Sequence, residues 1–153
     1  RLVVPAKLLS AMYSASVQAQ SELIVRRPVE RVFPFLADPR NRPRWQASLR
    51  TVQMLSEGEP HVGMRWRERP GGLVSFDMQI VALEPNQLWV EQIEGAGITG
   101  KIALRFAAEG GNTRIGVSVT LAVPKLLQLG SPVMRTVLVT MIRQDLARVE
   151  QLV

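Results

Sequence analysis

Between residues 17 and 25 the chain alternates, with Val17, Ala19, Ser21, Leu23 and Val25 on one side and Gln18, Gln20 and Glu22 on the other. That is the period of a strand with one buried face. After Arg27 and Pro28 the period changes. Val29, Val32, Phe33 and Leu36 recur at spacings of three and four, which predicts a short amphipathic helix over residues 28–37. Pro28 suits its first turn, Pro34 bends it, and Asp38-Pro39 ends it. Residues 38–45 read as a turn or a second short helix.

Six strand-like segments follow, over residues 47–55, 63–69, 74–82, 88–94, 98–106 and 115–123. Pro70-Gly71-Gly72, Glu84-Pro85-Asn86-Gln87, Gly95-Ala96-Gly97 and Glu109-Gly110-Gly111-Asn112 break them in the manner of tight turns. In the second segment Met64, Trp66 and Glu68 share one face and Arg65, Arg67 and Arg69 the other. Val74, Phe76, Met78, Ile80 and Ala82 share a face in the third. Ile98, Ile102, Leu104 and Phe106 do so later, and Ile115, Val117, Val119, Leu121 and Val123 close the series. Short turns between consecutive strands predict an antiparallel meander.

Gly130 then breaks the chain, Ser131 suits a helix N-cap and Pro132 a first helical position. From Val133 to Val153 the apolar residues Met134, Val137, Leu138, Met141, Ile142, Leu146, Val149 and Leu152 form one stripe at helical spacing. A single helix cannot bury such a stripe alone, so it must lie across the sheet. The fold class is therefore α+β, a curved antiparallel sheet of about seven strands wrapped around a long C-terminal helix, with two short helices after the first strand.

Composition narrows the picture. The chain has 153 residues and 46% hydrophobic residues, enough to bury a core. No apolar run approaches a bilayer span. There is no cysteine, which excludes disulfides, thiolate metal ligands and a cysteine nucleophile, and which fits a cytoplasmic setting. The first residues, 1–15, read as an N-terminal extension or helix lying on a domain of residues 16–153, with a trimmed secretory signal as the alternative. The net charge of +6 is carried mainly by arginine among many acidic groups. Nucleic-acid binding would want aromatics interleaved with those arginines, and the three tryptophans follow strand and core positions instead, so no nucleic-acid partner is expected.

The element order, together with Val25-Arg26-Arg27-Pro28-Val29-Glu30-Arg31-Val32-Phe33-Pro34-Phe35-Leu36-Ala37-Asp38, the following Trp45 and Val62-Gly63, resembles the START-like (SRPBCC), birch-pollen-allergen-like superfamily. The likeness is to its bacterial polyketide cyclase/dehydrase and lipid-transport branch. It implies a helix-grip fold with a cavity between sheet and helix, and ligands such as lipids, sterols, quinones, polyketides or plant hormones. Some members are aromatase/cyclases.

Beside that resemblance stand the residues themselves. Trp45, Met64, Trp66, Phe76, Met78, Phe106, Met134, Leu138 and Met141 are expected to line an apolar ligand cavity, Trp66 and Phe76 opposing the helix. Glu68 and Asp145 are the ionisable candidates for the inside, each expected at an edge or in solvent, and the only tyrosine, Tyr13, lies in the extension. The inside thus reads as a container more than a reaction vessel, and no catalytic residue, metal ligand or cofactor is assigned. A binding or carrier protein for a hydrophobic small molecule is the first expectation, and a polyketide aromatase/cyclase the alternative; polar side chains converging in the cavity would favour the enzyme. Either is expected as a monomer or homodimer.

Gly95-Ala96-Gly97-Ile98-Thr99-Gly100-Lys101 matches glycine-rich phosphate motifs, but a strand follows where a helix N-terminus is needed, so no nucleotide is expected there. His61, in the turn Glu57-Gly58-Glu59-Pro60-His61, reads as a surface residue. Arg65, Arg67, Arg69, Arg105 and Arg114, interspersed with Asp77, Gln79 and Glu91, read as a solvated outer sheet face. The cluster from Arg40 to Arg44 reads as a charged loop that could touch an anionic membrane surface transiently. Gly95-Ala96-Gly97 and Gly130-Ser131-Pro132 are expected to flank a movable gate, with Leu126, Leu127 and Leu129 as its apolar lip.

Overall fold

A computed structural model describes residues 14–125 and 131–153. Residues 1–13, and Leu126, Leu127, Leu129 and Gly130 of the expected gate, lie outside the described residues. The elements are β1 (Ser14–Val25), α1 (Val29–Ala37), a 3₁₀ turn (Pro39–Asn41), α2 (Arg42–Trp45), β2 (Val52–Met54), β3 (Arg65–Glu68), a 3₁₀ turn (Pro70–Gly72), β4 (Phe76–Glu84), β5 (Leu88–Gly95), β6 (Ile98–Glu109), β7 (Asn112–Pro124) and α3 (Ser131–Leu152). β1 begins ahead of the expected strand, and Ala15 pairs with Val123.

The strands form one antiparallel sheet in the order β1-β7-β6-β5-β4-β3-β2. β2 to β7 are joined neighbour to neighbour, as expected of a meander, while β1 reaches back across the chain to pair with β7. The strand expected over residues 47–55 is shortened to β2, because the chain before it carries α2 and the turns that follow.

Alternation fixed the sheet faces. Trp66 lies opposite Met78 and Glu68 opposite Phe76 in the β3–β4 register. Met64, Trp66, Met78, Ile80, Leu104, Phe106 and Ile115 are buried in one core. Arg65 and Arg105 are exposed on the opposite face, and Arg114 is held there by Glu109 at 2.8 Å and by Glu22. A one-residue slip would have reversed all of these. α1 buries Val29, Val32, Phe33 and Leu36 against the same core, where Phe33 meets Phe106 edge to face at 5.1 Å. The pairing of β4 with β5 shifts register between Ile80 and Ala82, a bulge of the kind that bends a sheet.

Gly95 and Gly100 of the β5–β6 hairpin are explained by contact, whereas Gly97 in the turn takes a positive φ of 76°. A Cβ on Gly95 would lie 2.3 Å from the Ser75 carbonyl oxygen, and one on Gly100 would lie 2.1 Å from that of Thr120. Both obstacles are backbone and cannot rotate aside. Gly100→Ala is therefore expected to cost about 1–3 kcal/mol, read as a fall in the urea midpoint at unchanged slope. An unchanged midpoint would contradict the close approach of β6 and β7.

α3 packs unevenly. Asp145, Leu146 and Val149 are buried, whereas residues 132–144 include no buried side chain. Leu138 and Ile142 are partly buried against the core, and Met134 packs on Val17 and Val123 in a small second cluster. Val133, Val137 and Met141 are exposed large apolar residues. Met141, expected to face the sheet, is 45% exposed, because it lies to the side of the line through Leu138, Ile142, Leu146 and Val149.

Candidate functional site

The site is assembled around an arginine. Asp38 caps the 3₁₀ turn by accepting from the Arg40 amide at 3.0 Å, and α2 follows with Arg42 in its first turn. α2 is only four residues long, yet it drives Arg42 into the interior, where the residue is 3% exposed. Burial of a guanidinium is costly unless it is paired and fully hydrogen-bonded.

β3 and β5 supply the pairing. Trp89, Glu91 and Ile93 alternate inward along β5, as Met64, Trp66 and Glu68 do around β3. Arg42 Nη1 donates to Glu91 Oε2 at 2.6 Å and Nη2 to Glu91 Oε1 at 3.2 Å, a two-pronged pair. Arg42 Nε donates to Gln46 Oε1 at 2.7 Å and lies 2.6 Å from Glu68 Oε1. Glu68 also accepts from the Trp66 indole N–H at 2.7 Å. The guanidinium carbon stands 5.5, 5.5 and 5.4 Å from the ring centroids of Trp45, Trp66 and Trp89, so all three tryptophans of the chain surround one cation.

The fourth charge is Asp145, on α3. It accepts from the Ala47 amide at 3.2 Å and from Arg148 Nη1 at 3.1 Å. Burial pushes the Glu91 carboxyl above its ordinary range, with Arg42 working against the shift. Burial also pushes Asp145 upward, opposed by the Ala47 amide and by the charges of Arg148 and Arg42. Burial disfavours the charged Arg42 guanidinium, but Glu68 and Glu91 outweigh it and hold the proton more firmly than usual. One cation thus serves several carboxylates in a dry space, which favours a retained proton among the acids.

Between this network and α3 lies a cavity of about 50 Å³. Trp45, Trp89, Glu91 and Asp145 give it a polar side, and Ile102, Leu104, Val117, Ile142 and Leu146 an apolar one. Among the described residues the indole N–H groups of Trp45 and Trp89 are buried with no acceptor. Buried donors without partners are rare in folded proteins.

These placements revise the sequence reading. Glu68 and Asp145 are inside rather than at an edge, and Glu91, assigned to the outer face, is 2% exposed. Arg42 leaves the charged loop expected over Arg40 to Arg44 for the core, while Arg40 pairs with Asp38 at 2.8 Å and Arg44 covers the Phe35 ring. Of the residues expected to line the cavity, Trp45 borders it. Met64, Trp66, Met78 and Phe106 are buried in the core beside it, and Phe76 and Leu138 are partly buried against that core. His61 is exposed on its turn, its Nδ1 2.7 Å from the Glu59 carbonyl oxygen. Lys101 is an exposed residue of β6, so no helix N-terminus follows the glycines of the β5–β6 turn.

No helix among the described residues is long and apolar enough to cross a membrane. Comparison with curated proteins returns no match. Solved structures give the fold. Norcoclaurine synthase from Thalictrum flavum superposes with a TM-score of 0.69 at 12% identity, over 99% of this chain and 96% of that one. Ara h 8.0201 does so with a TM-score of 0.67 at 17% identity, over 90% of this chain and 97% of that one. DynU16, a putative protein in the dynemicin biosynthetic locus, matches with a TM-score of 0.63 at 16% identity, over 86% of this chain and 46% of that one. The fold is the helix-grip arrangement expected from the element order. The family model "Polyketide cyclase / dehydrase and lipid transport" matches residues 16–153, nearly the whole sequence, and the chain belongs to that family.

Proposed function

We propose that the protein binds a hydrophobic small molecule bearing carbonyl or hydroxyl oxygens, of the polyketide or quinone class, between the sheet and α3. The observation that carries this reading is the pair of unpartnered indole N–H groups of Trp45 and Trp89, two residues that line a cavity with one apolar wall. Ligand oxygens would supply the acceptors that the protein does not, and a plain hydrocarbon would not. A cavity of about 50 Å³ is smaller than a ligand of this class. Uptake therefore requires the N-terminal half of α3 to lift, where the side chains of residues 132–144 are at most partly buried. The walls then added are Met64, Trp66, Phe76, Met78, Phe106, Met134 and Leu138, with Met141 at the rim. Release from the Ser131 end is the motion this demands.

The convergence of Glu91 and Asp145 favours a second reading, that of a cyclase. Burial pushes both carboxyls upward, toward holding a proton, and a carboxyl so shifted can exchange a proton with a bound polyketide.

Because every tryptophan borders or adjoins the site, intrinsic fluorescence reports on it. Titration with 1,4-naphthoquinone is expected to quench the emission saturably. Ile142→Trp, which fills the cavity wall, is expected to abolish the saturable part while the variant stays folded by circular dichroism. Saturable quenching unaffected by Ile142→Trp would remove the ligand from this cavity. The cyclase reading is separable: Asp145→Asn should leave naphthoquinone binding within about twofold while abolishing turnover of a poly-β-ketone probe.

A further inference from the structure

Away from the site, the β3–β4 connection combines an exposed apolar tip with a basic recess. The chain after Glu68 forms the 3₁₀ turn Pro70–Gly72, in which Gly71 and Gly72 take positive φ values of 64° and 75°. Nothing lies within 4 Å of where a Cβ would stand on either glycine, so the turn projects into open space. It is nonetheless fixed, since the Gly71 amide donates to the Ser48 carbonyl at 3.0 Å and the Gly72 amide to that of Arg69 at 2.9 Å. The next residue, Leu73, is 90% exposed, the most exposed large apolar residue among the described residues, and Val74 is 40% exposed. Single exposed apolar residues are ordinary on protein surfaces. This one stands beside a cation cluster.

A recess of about 590 Å³ runs between the loop before β2 and this turn, lined by Ser48, Arg50, Thr51, Arg69, Gly71 and Gly72. A second, of about 220 Å³, shares Thr51 and Arg69 with it and adds Gln53 and Arg67. Among the described residues no carboxylate lines either recess. Arg67 is paired with Asp77 at 2.7 Å, while Arg69 donates only to the Ser75 hydroxyl at 3.0 Å, and Arg50 has no ion-pair partner within the described residues. Two uncompensated guanidinium groups, two hydroxyls and a rigid apolar tip thus share one end of the molecule.

We propose that this end docks on an anionic phospholipid bilayer, with Leu73 and Val74 entering the interface and Arg50 and Arg69 taking lipid phosphates in the recess. The charge requirement selects an anionic leaflet, because cations near such a surface gain affinity that a neutral one does not give. The apolar tip selects a bilayer over a free anion, because a soluble phosphate gives Leu73 nothing to enter. The inference does not depend on the ligand assigned to the interior. It relates to it structurally, since β3 carries Trp66 and Glu68 at the site and runs directly into the docking turn.

The test is co-sedimentation of the whole chain with phosphatidylcholine vesicles, with and without about one third phosphatidylserine. Binding is expected only with phosphatidylserine and is expected to fall as salt rises. Arg50→Gln and Arg69→Gln are each expected to weaken it about fivefold. Leu73→Ser should weaken it about tenfold. Arg105→Gln, on the outer face of the sheet, should change it less than twofold; an equal loss there would mean diffuse adsorption of a basic protein and would overturn the site. The chain has no cysteine, so Leu73→Cys can be labelled with an environment-sensitive dye. A blue shift on anionic vesicles is expected, and binding without that shift would overturn insertion of the tip. Saturable binding of inorganic phosphate without vesicle binding would replace the bilayer by a soluble anion and likewise overturn the proposal.

Discussion

Arg42→Met is expected to destabilise the protein by about 3–5 kcal/mol at neutral pH, although methionine fits the space and prefers an apolar site. The loss comes from what stays behind. Glu68 and Glu91 are 4% and 2% exposed, and Arg42 is their shared cation, so removing it strands two carboxylates in a dry interior. The pH dependence has a definite sign. Glu91 is already pushed upward by burial, and without Arg42 the force opposing that shift is gone. A carboxyl whose pKa is higher folded than unfolded binds more protons in the folded state. Its contribution is present below the unfolded value, about 4.3, and is lost as pH rises through the folded value. The Arg42→Met variant should therefore lie nearest to wild type at about pH 5 and fall away toward about pH 8. Urea denaturation across that range decides the matter: a loss below about 1 kcal/mol, or one independent of pH, would show that the carboxylates do not depend on Arg42.

Trp66→Ala is the second large effect, at about 3–5 kcal/mol. Trp66 is fully buried at the middle of the β3–β4 pairing, opposite Met78 and, across β2, Met54. The substitution removes ring area from the core, one of three aromatic faces around Arg42, and the indole donor to Glu68. Because the surrounding β-strands are tied on both sides, the space cannot collapse fully. Added indole should recover part of the lost stability by occupying it, as apolar cavities bind apolar guests. A loss below about 1 kcal/mol would mean that the strands close over the gap.

Both predictions rest on residues that the sequence revealed unequally. The faces of β3, β4, β6 and β7 were readable, because alternation of large apolar and charged residues leaves one register that buries the former. Glu91 was readable in principle: Trp89 and Ile93 flank it at the strand period, and both are inward. Residue type argues for water and position for the core, and for an isolated glutamate type is ordinarily the stronger signal. Arg42 was not readable locally. A four-residue helix has no periodicity to expose an inward face, and Arg42 sits among Arg40 and Arg44, which stay outside. Only the demand of two inward carboxylates for a cation points to it, and that demand exists once the sheet is assembled. Gly95 differs from its expected role for a related reason, since close approach to Ser75 is a tertiary fact while backbone freedom is a property of the residue.

The return of β1 to β7 has a consequence for how the chain is made. The strands from β2 to β7 can zip as successive hairpins, each closing a short loop. β1 cannot: Val25 pairs with Thr113 and Ser14 with Pro124, so it emerges first and waits for the last strand. At a synthesis rate of about 5–20 residues per second, roughly a hundred intervening residues mean a delay on the order of 5–20 s. Throughout that interval the alternating apolar side of β1 has no sheet to cover it, and when β7 appears its outer edge is open until β1 arrives. Crowded ribosomes on one message would place several such strands near several such edges, and a neighbouring chain's first strand fits the edge of β7 as well as the chain's own. Expression at lower temperature and slower initiation should therefore raise the yield of chains whose β1 pairs with their own β7 more than any substitution that only strengthens the finished core.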